Sequence, residues 1–195
     1  MEAIVLSRYD FREYDQIISL YTPDYGRKEV LAKGVKKIIS KNSAYLEPFS
    51  FIDVEIIFGK ELDYIGSVQS INYFKNIRQN LEKSICAGFI LDVFNKLISA
   101  EEKDEQLFTL LKSFLSFLNS YTFVCHSEES KDLYSITDAF IAKLLYLLGF
   151  GEEEWQAIIA QDWGEIVNTN FKENMHHLIY QSLVVNTEIN FRDWR

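Results

Sequence analysis

Up to about residue 73, short stretches of β-branched and aromatic residues alternate with turn residues. Residues 3–7, 17–22, 29–33, 49–58 and 64–72 form these stretches, and Pro23-Asp24-Tyr25-Gly26, Gly34, Pro48 and Gly59-Lys60 fall between them. The pattern predicts five strands, with Gly26 and Gly34 as structural turn residues. In the fourth, Ile52, Val54, Ile56 and Phe58 share one face while Asp53 and Glu55 point the other way. That is the period of two expected of a half-buried strand. Five short strands are too few for a sandwich; they suit a small closed or partly closed barrel such as an OB-fold, and the pattern leaves an SH3-like barrel open.

From Phe74 the period changes. Ile77, Leu81, Ile85, Phe89, Val93 and Leu97 step by four, and Leu107, Leu110, Leu111, Phe114, Leu115 and Leu118 repeat the theme. A third run goes from Leu133 to Leu148 and stops at Gly149, where a positive φ can close the last turn. Residues 152–160 and 172–183 read as shorter helices, and the pattern is indistinct beyond Val184. The expected fold class is therefore α+β: an OB-fold-like five-stranded β-barrel over residues 1–73, followed by an all-α helical domain over 74–195.

Composition adds two constraints. Hydrophobic residues make up 48% of the 195, ample for a packed core. No stretch approaches the roughly 20 uninterrupted apolar residues of a membrane-spanning helix, and the amino-terminal apolar run is too short for a signal peptide. A cytoplasmic protein without membrane association is expected. Cys86 and Cys125 lack metal-site spacing and read as buried thiols.

Charge is unevenly placed. The net charge is −9, yet residues 1–80 are neutral and the whole deficit lies beyond them, so the halves do different jobs. The acidic clusters of the second half, such as Glu101, Glu102, Asp104 and Glu105, read as a solvated loop. Phosphate-cradle and nucleophile-elbow motifs are missing from the sequence. Neighbouring His176 and His177 point about 100° apart on a helix and do not suit one metal. His126 beside Cys125 lacks further ligands at useful spacing. No catalytic residue and no metal or cofactor are expected, which turns the expectation from catalysis toward binding.

One segment has the opposite sign. Arg27, Lys28, Lys33, Lys36, Lys37 and Lys41 stand against the single Glu29, a net charge of +5 over residues 27–41. A cationic strand and loop gives phosphates a place to bind and release counterions, and Tyr9, Tyr14, Tyr21, Tyr25 and Tyr45 are candidates to stack on unpaired bases. By composition alone, lysines that merely solvate a loop and tyrosines that fill a barrel explain the segment equally well.

The order of motifs separates the two. Ala3-Ile4-Val5-Leu6, then the run from Glu13 to Pro23, then Tyr25-Gly26-Arg27-Lys28 and Ala32-Lys33-Gly34-Val35-Lys36-Lys37 resemble the amino-terminal domain of the bacterial RecO recombination mediators. Leu46-Glu47-Pro48-Phe49-Ser50, and the strand 53–58 with Gly59-Lys60-Glu61-Leu62, continue the resemblance. It is looser over the helices to Gly151, where Phe140 to Phe150 looks like the family's Leu-rich helix, and it fades beyond. Many members carry a four-cysteine zinc motif in the carboxy-terminal part. This chain has no cysteine after Cys125 and is shorter, so the zinc is expected absent.

The resemblance implies an OB-fold that binds single- and double-stranded DNA, anneals complementary strands, and works with RecR to load RecA on strands coated by single-strand-binding protein, in recombinational DNA repair and without a consumed cofactor. It implies a bacterial, nucleoid-associated location. It carries DNA contact onto Lys33, Lys36 and Lys37; Arg27, Lys28 and Lys41 join them from charge alone. It also implies a site in the helical domain for the acidic tail of single-strand-binding protein, which needs Lys112, Lys131 or Lys143 clustered to offset the acids there. The net charge and the shortened carboxy-terminal region keep a second expectation alive, a protein-interaction adaptor whose barrel no longer binds DNA.

Overall fold

A computed structural model describes residues 1–37, 42–100, 103–122, 129–151, 153–169 and 173–187. The chain divides into two compact units, Met1–Asn119 and Ser120–Arg195.

The first unit opens with β1 (Glu2–Asp10), β2 (Gln16–Thr22) and β3 (Gly26–Ala32), paired antiparallel in sequence. Strand β4 (Phe51–Ile57) pairs antiparallel with both β1 and β5 (Tyr64–Asn72), and β5 closes onto β3 in parallel through Leu31 and Tyr64. The resulting closed barrel, β1-β2-β3-β5-β4, is the OB-fold-like arrangement expected from the sequence. Its interior is filled by alternate residues: Ala3 and Val5, Ile18 and Leu20, Val30 and Ala32, then Ile52, Val54, Ile56 and Val68.

The run Ile17–Tyr21 is apolar at nearly every position because β2 is covered on both faces. Outside the barrel it meets α2 (Leu81–Leu97) and α3 (Glu105–Ser120). Tyr21 is fully buried there, edge-on to Phe94 at 4.9 Å and stacked on Phe108 at 6.4 Å. The Ser19 hydroxyl donates to Asn95 Oδ1 at 3.1 Å on the same face. Burying each such side chain contributes about 1.5–3 kcal/mol, so β2 ties the helices to the barrel.

Two local features depart from the periodicity. A single helix through Ile77 and Leu97 was expected; instead α1 (Lys75–Gln79) stops at Asn80, which turns extended and caps α2 by accepting the Lys83 N–H at 2.8 Å. Phe58 does not continue the inward face of β4. The strand ends at Ile57, and Phe58 is 56% exposed. The reason lies at Gly59, where a Cβ would meet the Leu62 carbonyl oxygen at 2.1 Å: the chain folds back too tightly for the alternation to continue.

The second unit is helical. α4 (Glu129–Leu147) buries Ile136, Phe140, Ile141, Leu144 and Leu145. It ends with Gly149 at φ 84° and a Phe150 N–H to Leu145 carbonyl bond of 2.8 Å, the closing turn that the glycine predicted. A 3₁₀ turn at Glu153–Trp155 leads into α5 (Gln156–Ala160); α6 (Trp163–Val167) and α7 (Glu173–Thr187) follow. Sequence periodicity missed α6, although Asp162 and Glu165 form a full capping box in front of it. Lys143 donates to the carbonyls of Ile159 (2.7 Å) and Gln161 (2.8 Å), satisfying the end of α5, and burial pushes its ammonium below the usual lysine range. No described helix is long and apolar enough to cross a membrane.

Candidate nucleic-acid interface

Two loops of the barrel are stitched into one edge. In the β1–β2 turn, the Phe11 N–H donates to the Asp15 carbonyl at 3.2 Å. Asp15 in turn accepts the Gly34 N–H on its carboxylate at 2.7 Å, and the Lys36 N–H donates to the Tyr14 carbonyl at 3.1 Å. Gly34 has φ 64°, so the chain leaving β3 reverses under the hairpin without a Cβ penalty. Backbone bonds thus fix the positions from which Lys33, Lys36 and Lys37 project.

All three lysines are exposed. The Lys33 ammonium lies 4.3 Å over the ring centre of Tyr64, and that of Lys37 5.6 Å over Tyr14. Lys36 sits 2.8 Å from Asp10 Oδ2, and Gln16 donates to the other oxygen at 3.0 Å. These bonds, the one from Lys36 foremost, hold the Asp10 carboxyl below the usual carboxylate range. Arg12 adds a further cation 5.0 Å over the exposed Phe11 ring. Tyr9 and Tyr14 are also exposed; burial and a bond to Glu29 (3.1 Å) raise the Tyr9 phenol, and a bond to Glu13 raises that of Tyr14, so both stay protonated donors.

The remaining cations of the basic segment lie elsewhere. Lys28 is half-buried, 3.5 Å from Asp63 and 5.8 Å from the ring centres of both Tyr25 and Phe58. Arg27 turns its guanidinium to the Asn95 carbonyl, which docks β3 on α2. Lys41 lies outside the described residues. Gly26 has φ 66° at the β2–β3 turn, where Thr22 Oγ1 accepts the Tyr25 N–H at 3.0 Å. Of the tyrosines expected to stack on bases, Tyr9, Tyr14, Tyr25 and Tyr45 are exposed, whereas Tyr21 is a core residue and unavailable. Strand alternation explains that error: Tyr21 points away from the barrel interior, but onto helices that sequence alone does not place.

Sequence reasoning did not single out Asp10, Phe11, Arg12 or Tyr64 for this edge. The first three follow from a hairpin turn between strands 3–7 and 17–22; Tyr64 comes close only through the parallel β3–β5 closure, for which the sequence carries no local signal.

Two of the three cations named for a helical-domain site have structural partners. Lys112 pairs with Glu2 at 3.0 Å and lies 4.4 Å over Phe51, Lys143 caps α5, and the side chain of Lys131 is outside the described residues, as are Cys125 and His126. His176 and His177 diverge: His176 Nδ1 meets the buried Asp138 carboxylate at 2.8 Å, while His177 Nε2 meets Gln181.

Comparison with known proteins agrees with a barrel followed by helices. Residues 1–74 match the family model Recombination protein O N terminal, and residues 78–153 match Recombination protein O C terminal. The DNA repair protein RecO of Geobacter metallireducens is 30% identical over 149 residues, 76% of this chain and 57% of that protein. That of Dehalococcoides mccartyi is 35% identical over 120 residues, 62% and 47% of the two chains. The chain spans about half the length of the curated relatives it matches. With an OB-fold-like barrel, helices following it in the sequence and two successive family matches over them, the chain belongs to the RecO family.

Proposed function

We propose that this chain is a non-enzymatic DNA-binding protein of recombinational repair, which holds single-stranded DNA along the barrel edge, promotes annealing of complementary strands and helps load a recombinase. The observation that carries the proposal is the joining of the β1–β2 turn to the β3 exit, which sets Lys33, Lys36 and Lys37 beside exposed Phe11 and Tyr14. Cations at that spacing offer phosphates electrostatic contacts, and aromatic faces offer unpaired bases stacking surface. Duplex DNA is a second substrate through the same phosphate contacts. The partners belonging to this reading are a RecR-like protein, the acidic tail of single-strand-binding protein and, indirectly, RecA. Fluorescence anisotropy of a labelled oligonucleotide tests it: binding that weakens steeply with salt supports the reading, and no binding at low salt contradicts it.

The competing adaptor reading draws on one feature of the same edge. Lys36 is paired with Asp10 and Lys28 with Asp63, so part of the positive charge is already compensated. Retention of protein partners with no retention of DNA at low salt would favour it.

A further inference from the structure

We propose that the free edge of β5 is a docking site for an extended segment of a partner protein, which adds as a strand beside Val68 and Ser70 and sets a basic side chain on Glu55. The proposal is independent of the DNA-binding reading above. β3 meets β5 at a single pair, Leu31 with Tyr64. Beyond it β5 runs on to Asn72 with β4 on one side and no described strand on the other. The bond pattern shows which groups are left over. Val54 on β4 turns both its N–H and its carbonyl toward the start of β1, where each meets Met1 at 2.9 Å. Ladder bonds alternate in direction along a strand, so Asp53 rather than Val54 bonds across to β5, at Gln69. Val68 and Ser70, on either side of Gln69, therefore aim their N–H and carbonyl groups away from β4, and no described residue bonds them there.

Edges of this kind are ordinarily protected by lysine, proline or an inward-pointing charge. β5 carries neither a charge nor a proline along its length. Register shifts on either side leave residues 68–70 as the regular stretch of its ladder with β4. Ser67, Gln69, Ser70 and Ile71 are exposed there, so the strand is open to solvent where an incoming chain has a regular edge to pair with.

Charge identifies the occupant. The charged residues of β4 are Asp53 and Glu55, both acids, and β5 adds none. Asp53 is offset by the Met1 ammonium at 2.8 Å. No described cation pairs with Glu55, whose carboxylate leans across the ladder and accepts the Ser67 hydroxyl at 3.0 Å. Gly66 makes that possible, because a Cβ there would come within 3.1 Å of Glu55 Oε2 and 2.9 Å of Ile57 Cδ1. The uncompensated charge thus lies over β5, about one strand spacing, ~4.8 Å, from a chain added at the edge. Met1, Asp53, Glu55, Ser67 and Gln69 line a groove of about 360 Å³ on this face, room for a lysine or arginine side chain. Phosphates of a nucleic acid would be repelled by the two acids. Main-chain groups at Val68 and Ser70 suit a polypeptide, which pairs with them as a strand.

The test uses the full chain and short fluorescent peptides of alternating lysine and valine, read by anisotropy. One control peptide has glutamate for lysine; another has alternate amides N-methylated, which removes the donors that strand pairing needs. The lysine peptide is expected to bind, the glutamate peptide about fivefold or more weaker, and the N-methylated peptide about tenfold or more weaker. Glu55→Lys is expected to invert the preference between the lysine and glutamate peptides. Glu55→Gln, which keeps an acceptor for Ser67, is expected to remove most of it, and thermal unfolding checks that each variant folds. Amide exchange at Val68 and Ser70 should slow when the lysine peptide is added. Failure of that peptide to bind, equal binding by the N-methylated peptide, or an unchanged preference in the folded Glu55 variants would overturn the docking site. Concentration-dependent dimers with the Val68 and Ser70 amides protected in the peptide-free chain would overturn the assignment to a partner protein in favour of a second copy of this chain.

Discussion

The Lys36 ammonium lies 2.8 Å from the Asp10 carboxylate on the barrel edge proposed to bind phosphates. An acid that competes with phosphate for a lysine lowers affinity. Asp10→Asn keeps an acceptor for Gln16 but removes the charge, so a two- to fivefold gain in single-strand affinity at low salt is expected, with a salt dependence steeper by up to about 0.7. Because Lys36 holds the Asp10 carboxyl below its ordinary value, the pair is intact at neutral pH and is lost only as pH falls through that lowered value. Anisotropy at neutral pH measures the effect; equal or weaker binding by the variant would show that Lys36 does not reach DNA.

Arg78 has a structural duty close to a family-like motif. Its guanidinium lies 4.3 Å over Phe49 and 3.9 Å over Tyr73, and donates to the Pro48 carbonyl and Ser50 hydroxyl at 2.9 and 2.8 Å. It thereby holds the left-handed Phe49 (φ 54°) against β1. Arg78→Lys retains charge but loses the planar, stacked donor set, and a loss of about 2 kcal/mol in chemical denaturation is expected. DNA affinity of the folded variant should be unchanged.

In the helical unit, His176 on α7 faces Asp138 on α4, whose carboxyl burial pushes above the usual range while the His176 bond opposes the shift. With the folded value raised, the cost of ionising Asp138 appears as pH rises through the interval above its ordinary pKa and persists at neutral pH. His176→Ala should therefore cost about 1–2 kcal/mol at neutral pH and much less in acid, where Asp138 is protonated in both states. Urea unfolding at the two pH values decides; an equal loss at both would place the role of His176 in packing alone.

Gly34 tests the turn that aims the lysines. Its φ of 64° is strained for any residue with a Cβ, although the space there is open, the nearest atom being Lys37 Cδ at 3.5 Å. Gly34→Ala is expected to cost about 1 kcal/mol through backbone strain and to weaken DNA binding modestly. A stability unchanged from wild type would mean the turn relaxes.

Much of the fold was legible because burial imposes a period: Ile52, Val54 and Ile56 declared a barrel face, and Leu107, Leu110, Leu111, Phe114, Leu115 and Leu118, all buried, declared the inner face of α3. What was not legible depended on partners distant in sequence. Tyr21 looked like a surface tyrosine until Phe94 and Phe108 came to cover it, Arg27 looked like a phosphate ligand until α2 offered the Asn95 carbonyl, and Phe58 kept the parity of its strand but not its place. Of the candidate site, the lysines and Gly34 were readable as a charged turn. The aromatics beside them were placed by hairpin and barrel closure, which no local pattern encodes.

The most direct measurement is the salt dependence of single-strand affinity for wild type and for the triple variant Lys33→Glu, Lys36→Glu, Lys37→Glu. A tenfold or greater loss at low salt, uniform across sequences, with a slope shallower by roughly 2, is the expected result. Unchanged affinity and slope in a folded triple variant would contradict the interface.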